Sequence, residues 1–391
     1  MKIAFVPPRY GPEVIGGAEH AVRMFAENLV AAGDEVEVFT TCALESATWA
    51  DAYPEATSSI AGVTVHRFGS ESGRHPDLDA LSDEILPKGL GARGDRRWID
   101  MQGPVCPDAI DAAAASDADA VVFYPYLYWP TVVGVARLKD RAILHPAAHD
   151  EPQLHLPVFQ EVFAQPRALV FQTEAERAVV RRLFRVEHLP QLLLGLGVQQ
   201  PPGQPDEKAG RDALGLGDRP YLIYVGRVDE GKGTTILATS FARYKERHPG
   251  PLALVLAGPV FDPPPTHPDI VLPGLIDEPL KWGLLAGAQA CVNPSPHEAF
   301  SILLMEAWSV GLPVLVNAAC AATTEHCARS AGGLWFSDFA DFEAVLDRLS
   351  ADADLGARMG YAGRAYVDRL FLWPSLIRRY RRFLERAVRR P

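Results

Sequence analysis

At 391 residues the chain is about two to three times the usual domain size, so two domains with separate cores are expected. Hydrophobic residues at 48% and charged residues at 22% match ordinary globular usage, which sets aside disordered and fibrous classes. A net charge of −11 argues against a nucleic-acid partner, whose phosphates call for a basic surface.

No stretch approaches the roughly 18 to 20 apolar residues of a membrane-spanning helix. The opening MKIAFVPPRYG is cut by Pro7 and Pro8 and lacks a signal-peptide core. The five cysteines are scattered without a CxxC pair, which favours a reducing compartment over a disulfide or zinc framework. A cytoplasmic protein is the expectation.

KIAFV (2–6) reads as a first strand ending at Pro7-Pro8. Ala18, Val22, Phe25 and Leu29 then recur at helical spacing up to Gly33, and EVEVFTT (35–41) reads as the next strand. Further strands are predicted at 63–68, 120–126, 142–146, 168–172 and 191–195, with helical spacers such as TEAERAVVRRLF. Residues 196–218, rich in Gly, Pro and charge, read as a linker. The alternation restarts with strands at 221–226, 252–258, 269–274, 290–295 and 313–317, and with helices from Thr234, near Glu278 to Ala288, and through Glu306. Such alternation predicts an α/β chain with two doubly wound, mostly parallel halves, whose ligands bind beyond the carboxyl ends of the strands.

PHEAFSILLMEAWSVGLPV (296–314) places Glu298 and Glu306 eight residues apart. On one helix they would lie about 12 Å apart along the axis and roughly 80° around it. Acid/base carboxylate couples on one sugar stand roughly 5 to 10 Å apart. The spacing therefore suits two ends of an elongated ligand, with the backbone amides of Phe300, Ser301 and Ile302 at a helix start between them for an anion. Singly, a first-turn acid and a solvated helix position account equally well for the two glutamates.

VGRVDEGKGTT puts Arg227 and Lys232 in a glycine-bearing loop after a strand, with Gly226 allowing close approach; a diphosphate suits it, as does an ordinary charged turn. Gly16-Gly17 opens a helix after the first strand and could turn amides to a phosphate, but it is not the GxGxxG fingerprint of a dinucleotide dehydrogenase. HPAAHDEPQLH (145–155) invites a metal reading, yet Pro146 and Pro152 break any helix that would align its histidines. It reads better as a loop presenting one imidazole, with His145 equally at home in a core. Asp117-Ala118-Asp119 matches a metal-diphosphate DxD pattern but stands at a strand's start, on the wrong sheet edge, and is taken as chance.

Taken together these residues resemble retaining GT-B glycosyltransferases of glycosyltransferase family 4, the glycosyl transferases group 1. The resemblance rests on the Glu-x7-Glu run EAFSILLMEAWSVGLPV (298–314), and is supported by Gly16-Gly17-Ala18-Glu19, Gly226-Arg227 with Lys232-Gly233, Pro-Gly-Leu-Ile at 273–276 and NPS at 293–295. It implies two Rossmann-like domains facing each other across a cleft: 1–196 on the acceptor side, joined by a returning helix at 374–391, and 197–373 binding the donor. Glu298 would meet donor-sugar hydroxyls and Glu306 the ribose. Arg227 and Lys232 would stabilise the departing diphosphate without a metal or other cofactor. Gly16, Gly17 and the amides of Phe300 to Ile302 would complete the phosphate cradle. Leu275 and Ile276 would meet the base through their backbone, and His149 the sugar or reacting centre. The expected partners are a UDP- or GDP-sugar donor and a sugar or lipid-linked acceptor in polysaccharide, glycolipid or glycoside synthesis.

The chain departs from the family where Ala299 and Ser301 replace glycines, Trp308 replaces methionine, Gly231 replaces glutamate, and LGVQ (196–199) replaces the usual Asn-Gly-Val-Asp hinge. FYPYLYWP (123–130) suits an acceptor wall or plain core packing. The arginine-rich carboxyl end leaves a peripheral membrane contact open. An epimerase or phosphorylase of the same fold, and a non-catalytic sugar- or nucleotide-binding protein with two lobes, are the alternative readings.

Overall fold

The computed structural model describes residues 1–389 of the chain. The chain divides into two compact units, one formed by Met1–Gly197 together with the segment that starts at Trp373, the other by Val198–Leu372.

The first unit holds strands β1 (Lys2–Val6), β2 (Glu35–Thr41), β3 (Ala56–Ile60), β4 (Val63–Phe68), β5 (Ala120–Phe123), β6 (Ala142–Leu144), β7 (Ala168–Phe171) and β8 (Gln191–Leu193). They form one sheet in the order β3-β4-β2-β1-β5-β6-β7-β8, parallel throughout except for the β3–β4 hairpin at the edge. Strands in the middle are buried on both faces, as β1 and β5 show, so they read in sequence as unbroken apolar runs. β3 is the exception: ATSSI is largely exposed, carries no apolar alternation, and escapes a sequence reading. β5 stops at Phe123, short of the expected Tyr126, because Pro125 has no N–H to give a ladder.

The last helix, Trp373–Val388, belongs to this unit. Tyr380 Oη lies 2.8 Å from His145 Nε2, and Phe25 meets Trp373 and Tyr380 with ring centroids 5.3 and 5.2 Å apart. Arg381 pairs with the buried Asp34 at 2.8 Å, which also binds the terminal amine at 2.9 Å. Arg378, Arg382, Arg386 and Arg389 face outward. The expected span 374–391 ends in Arg390 and Pro391, which lie outside the described residues.

The second unit holds β9 (Tyr221–Val225), β10 (Ala253–Ala257), β11 (Ile270–Gly274), β12 (Ala290–Asn293), β13 (Val314–Asn317) and β14 (Gly333–Phe336). Their order β11-β10-β9-β12-β13-β14, all parallel, reverses direction between β9 and β12. The corresponding reversal in the first unit falls between β1 and β5. Loops leaving these two strand pairs therefore flank the crevices where open α/β sheets take ligands.

The reading of 196–218 as a linker needs correction. Glu207–Ala213 is a helix of the second unit, capped by Asp206, whose Oδ1 accepts from Ala209 N at 2.9 Å. Gly210 lets this helix meet the helix Glu278–Gly287 closely, since a Cβ there would stand 2.9 Å from the Gly283 carbonyl carbon. Gly, Pro and charge hide it because a two-turn helix has too few apolar positions to show a period.

Candidate active site

Among the described residues the second unit carries the larger polar constellation, at the β9/β12 reversal. Asp229 builds the loop after β9: its Oδ1 accepts from Lys232 N at 2.7 Å and its carbonyl accepts from Thr234 Oγ1 at 2.9 Å. Gly233 then closes the turn in the left-handed region (φ 74°) and presses on the loop after β12; a Cβ there would lie 2.5 Å from Pro294 O. That approach brings Lys232 Nζ to 2.7 Å from Glu298 Oε1, both side chains about a quarter exposed or less. Arg227, in the same loop, is more than half exposed and has Asp229 Oδ2 at 3.4 Å from its Nε. Its carbonyl accepts from Tyr224 Oη at 3.0 Å, and Gly226 N donates to Ala257 O at 2.9 Å, which ties the loop to the sheet.

Glu298 stands in the turn before the helix Ile302–Ser309, and Glu306 lies within that helix. The helix starts at Ile302, so Phe300 and Ser301 precede it, with Ser301 as N-cap at φ 71°. Glycine adopts that backbone at no steric cost, which accounts for the family's glycine at this position; here Ser301 is held there by Asn293 Nδ2, 2.8 Å from its Oγ. Phe300 is buried edge-on against His326 and Phe371, at centroid distances of 4.9 and 5.2 Å, so its side chain belongs to the core. Trp308 is fully buried, its Nε1 donating to Gly332 O at 2.9 Å, which makes the methionine replacement a core matter. Leu275 is exposed and Ile276 half-buried in the loop after β11.

Glu306 does not couple to Glu298; its Oε1 receives Lys281 Nζ at 2.7 Å from the helix Glu278–Gly287. Burial disfavours the Lys281 charge, yet Glu306 and Glu278 outweigh it and hold its pKa above the usual lysine value.

A second cluster lies in the first unit, at the β1/β5 reversal. Arg9, after β1, is buried and bonds Glu19 through both Nε (3.0 Å) and Nη2, while its Nη1 donates to Leu44 O at 3.0 Å. Gly16 is the N-cap of the helix Gly17–Ala31 and must be glycine for this pair to fit, since a Cβ would fall 2.1 Å from Glu19 Oε2. Gly17 has open space around it. His149, after β6, has Glu151 Oε2 at 3.7 Å from its Nε2, and Glu151 Oε1 accepts from Tyr126 Oη at 2.7 Å.

Glu176 fixes the loop that carries His149: Oε1 accepts from Ala148 N at 2.9 Å and Oε2 from Gln172 N at 2.6 Å. Burial pushes its carboxyl up to about 8, against the pull of these backbone N–H groups. His145 is a core residue, its pKa lowered to about 3 by burial. Asp150 pairs with His155 at 2.8 Å and Arg182 at 2.5 Å, which hold its carboxyl below the usual range. The aspartates of the DxD sequence both bind Lys2, Asp117 through its Nζ and Asp119 through its N, at the opening edge of β5. Among the described residues no group of three or more His, Cys, Asp or Glu is placed to hold a metal.

Sequence reasoning missed Asp229, Lys281, Glu176 and the pairing of Arg9 with Glu19. Glu19 stands in the Gly-Gly-Ala-Glu run, and Arg9 follows the first strand after two prolines.

The glycosyl transferases group 1 family model matches residues 219–352, which contain the whole β9/β12 constellation. The chain is 28% identical to the D-inositol 3-phosphate glycosyltransferase of Stackebrandtia nassauensis, over 92% of this chain and 84% of that protein. Sucrose-phosphate synthase from Thermosynechococcus elongatus superposes with a TM-score of 0.73 at 19% identity, covering 98% of each chain. Anabaena HepE, solved with UDP and glucose, gives 0.69 at 15% identity, covering 98% of this chain and 99% of that one. Two parallel-sheet units with these relatives define a GT-B fold. The chain is similar to glycosyltransferases of group 1, most directly over residues 219–352.

Proposed function

We propose that the chain transfers a sugar from a nucleoside diphosphate sugar, UDP-sugar foremost, to a sugar, polyol or lipid-linked acceptor with the anomeric configuration retained. The observation that carries this reading is the Lys232–Glu298 pair beyond the ends of β9 and β12. A cation and a carboxylate held side by side suit the two halves of the donor: the diphosphate takes the lysine, the sugar hydroxyls take the glutamate. In the reaction the anomeric C–O bond breaks and its electron pair leaves on the diphosphate. The acceptor oxygen bonds the anomeric carbon and releases its proton. Lys232 and the exposed Arg227 stabilise the growing charge on the leaving group, in place of a metal.

The remaining roles follow the same layout. Amides around Phe300 to Ile302 approach the phosphates, backbone at Leu275 and Ile276 meets the base, and Glu306 accepts the ribose hydroxyls. Val198–Leu372 is then the donor-binding domain and Met1–Gly197 the acceptor-side domain. There His149 is oriented by Glu151. UDP and glucose bound to the HepE relative favour a UDP-sugar, and the inositol-phosphate relative favours a polyol or sugar acceptor. A cytoplasmic location agrees with the five buried free thiols.

Thermal-shift measurements with UDP, GDP and ADP test the donor class, because a nucleotide that binds the folded state raises the melting temperature. NMR of the anomeric proton in the product tests retention. Silence from all three nucleotides sinks the donor reading; an inverted product sinks retention alone.

A further inference from the structure

Lys281 has no counterpart in the roles above, yet its surroundings are unusual. Its side chain is only 12% exposed, with Nζ 2.7 Å from Glu306 Oε1 and 2.8 Å from Glu278 Oε1. The indole of Trp282 lies 5.0 Å from the ammonium. Glu278 stands at the rim, 63% exposed, whereas Glu306 is 14% exposed. The lysine therefore serves the inner carboxylate more than the outer one: a rim pair contributes little, while a sheltered carboxylate without a partner is costly.

The pairing also settles geometry. A glutamate has three rotatable side-chain bonds, and one oxygen anchored by a lysine on a different helix removes most of that freedom. Oε1 receives the lysine, which leaves Oε2 as the second acceptor of the same carboxylate. A carboxylate is acceptor-only, and a vicinal diol offers two donors, so the two match without any group left unpaired.

We infer that Lys281 is a positioning residue for nucleotide recognition: it anchors the Glu306 carboxylate so that its second oxygen accepts the vicinal hydroxyls of a ribose. This rests on the donor reading of Glu306 given above.

The test is calorimetric titration of the full-length protein with UDP, GDP and ADP, followed by the 2′,3′-dideoxy form of the nucleotide that binds best. Wild type should prefer the ribose form by about ten-fold or more, the range of a charge-assisted hydrogen bond. Lys281→Met should lose that preference while its affinity for the dideoxy form stays within about two-fold. Glu306→Gln should behave alike, and Lys281→Arg should keep most of the preference. A merely structural lysine would weaken both forms equally and leave the ratio untouched, and that outcome overturns the inference, as does a Lys281→Met protein with the wild-type ratio or a wild type that does not discriminate. If no nucleotide binds wild type, the donor reading itself fails and the inference falls with it.

Discussion

Lys232 and Glu298, 66 positions apart in the chain, meet at 2.7 Å between the loops after β9 and β12. Each satisfies the other, and on the proposed donor reading the phosphate would take the lysine and the sugar the glutamate. Lys232→Ala and Glu298→Ala should each lower kcat with the true donor by about 10²- to 10³-fold, the usual effect of removing one group that meets developing charge. Circular dichroism should show an intact fold in both. Wild-type turnover in either variant would remove that residue from the site.

Gly16 and Gly17 are neighbours with opposite tolerances. Gly16→Ala drives a methyl into the Glu19 carboxylate that Arg9 holds, so about 1–3 kcal/mol of stability should be lost. Gly17→Ala meets nothing within 4 Å and lies in a helix's first turn, where alanine is the better helix former; stability should hold or rise slightly. Urea unfolding of the two variants measures the contrast, and equal losses would refute the steric account.

Glu176, with a folded pKa of about 8 against an ordinary 4.5, binds a proton in the folded state that the unfolded chain has already released. Its contribution to stability is complete below about pH 4.5 and is lost as pH rises to about 8. Glu176→Gln cannot lose that proton. The stability of the variant relative to wild type should therefore climb between pH 5 and 8 in urea titrations; a flat difference would contradict the burial argument.

His145 and His326 shift the other way. Both are buried with pKa values lowered to about 3, His326 by burial and by Arg329 nearby. The unfolded chain takes up these protons first, so stability is lost as pH falls below about 6.5, by about 1.4 kcal/mol per pH unit for each histidine. His326→Phe, which keeps the aromatic contacts with Phe300 and Phe371, should flatten the slope between pH 6.5 and 5 by one histidine's share.

Much of the fold was legible because parallel strands appear as short apolar or alternating runs: β1, apolar after Lys2, and β2 and β4, which alternate, match the sequence reading residue for residue. What was hidden lacked a local signal. The exposed β3 hairpin strand has no alternation. The short helix after Asp206 sits in turn-rich sequence. At the site, Glu298 and Lys232 were visible as residue types in strand-end loops. Their direct pairing was not, because it depends on Gly233 pressing two loops together. Lys281 and Glu306 are 25 positions apart on separate helices, a distance at which spacing carries no information about contact.

The first unit is discontinuous: residues 198–372 are inserted into it, and the helix Trp373–Val388 supplies Tyr380 to His145 and Trp373 to Phe25 only at the end of the chain. During vectorial synthesis on a ribosome, the inserted unit emerges whole before its host has all its parts. The nascent chain thus completes its second-encoded half first, and the first half reaches its finished core only after the helix from Trp373 has followed.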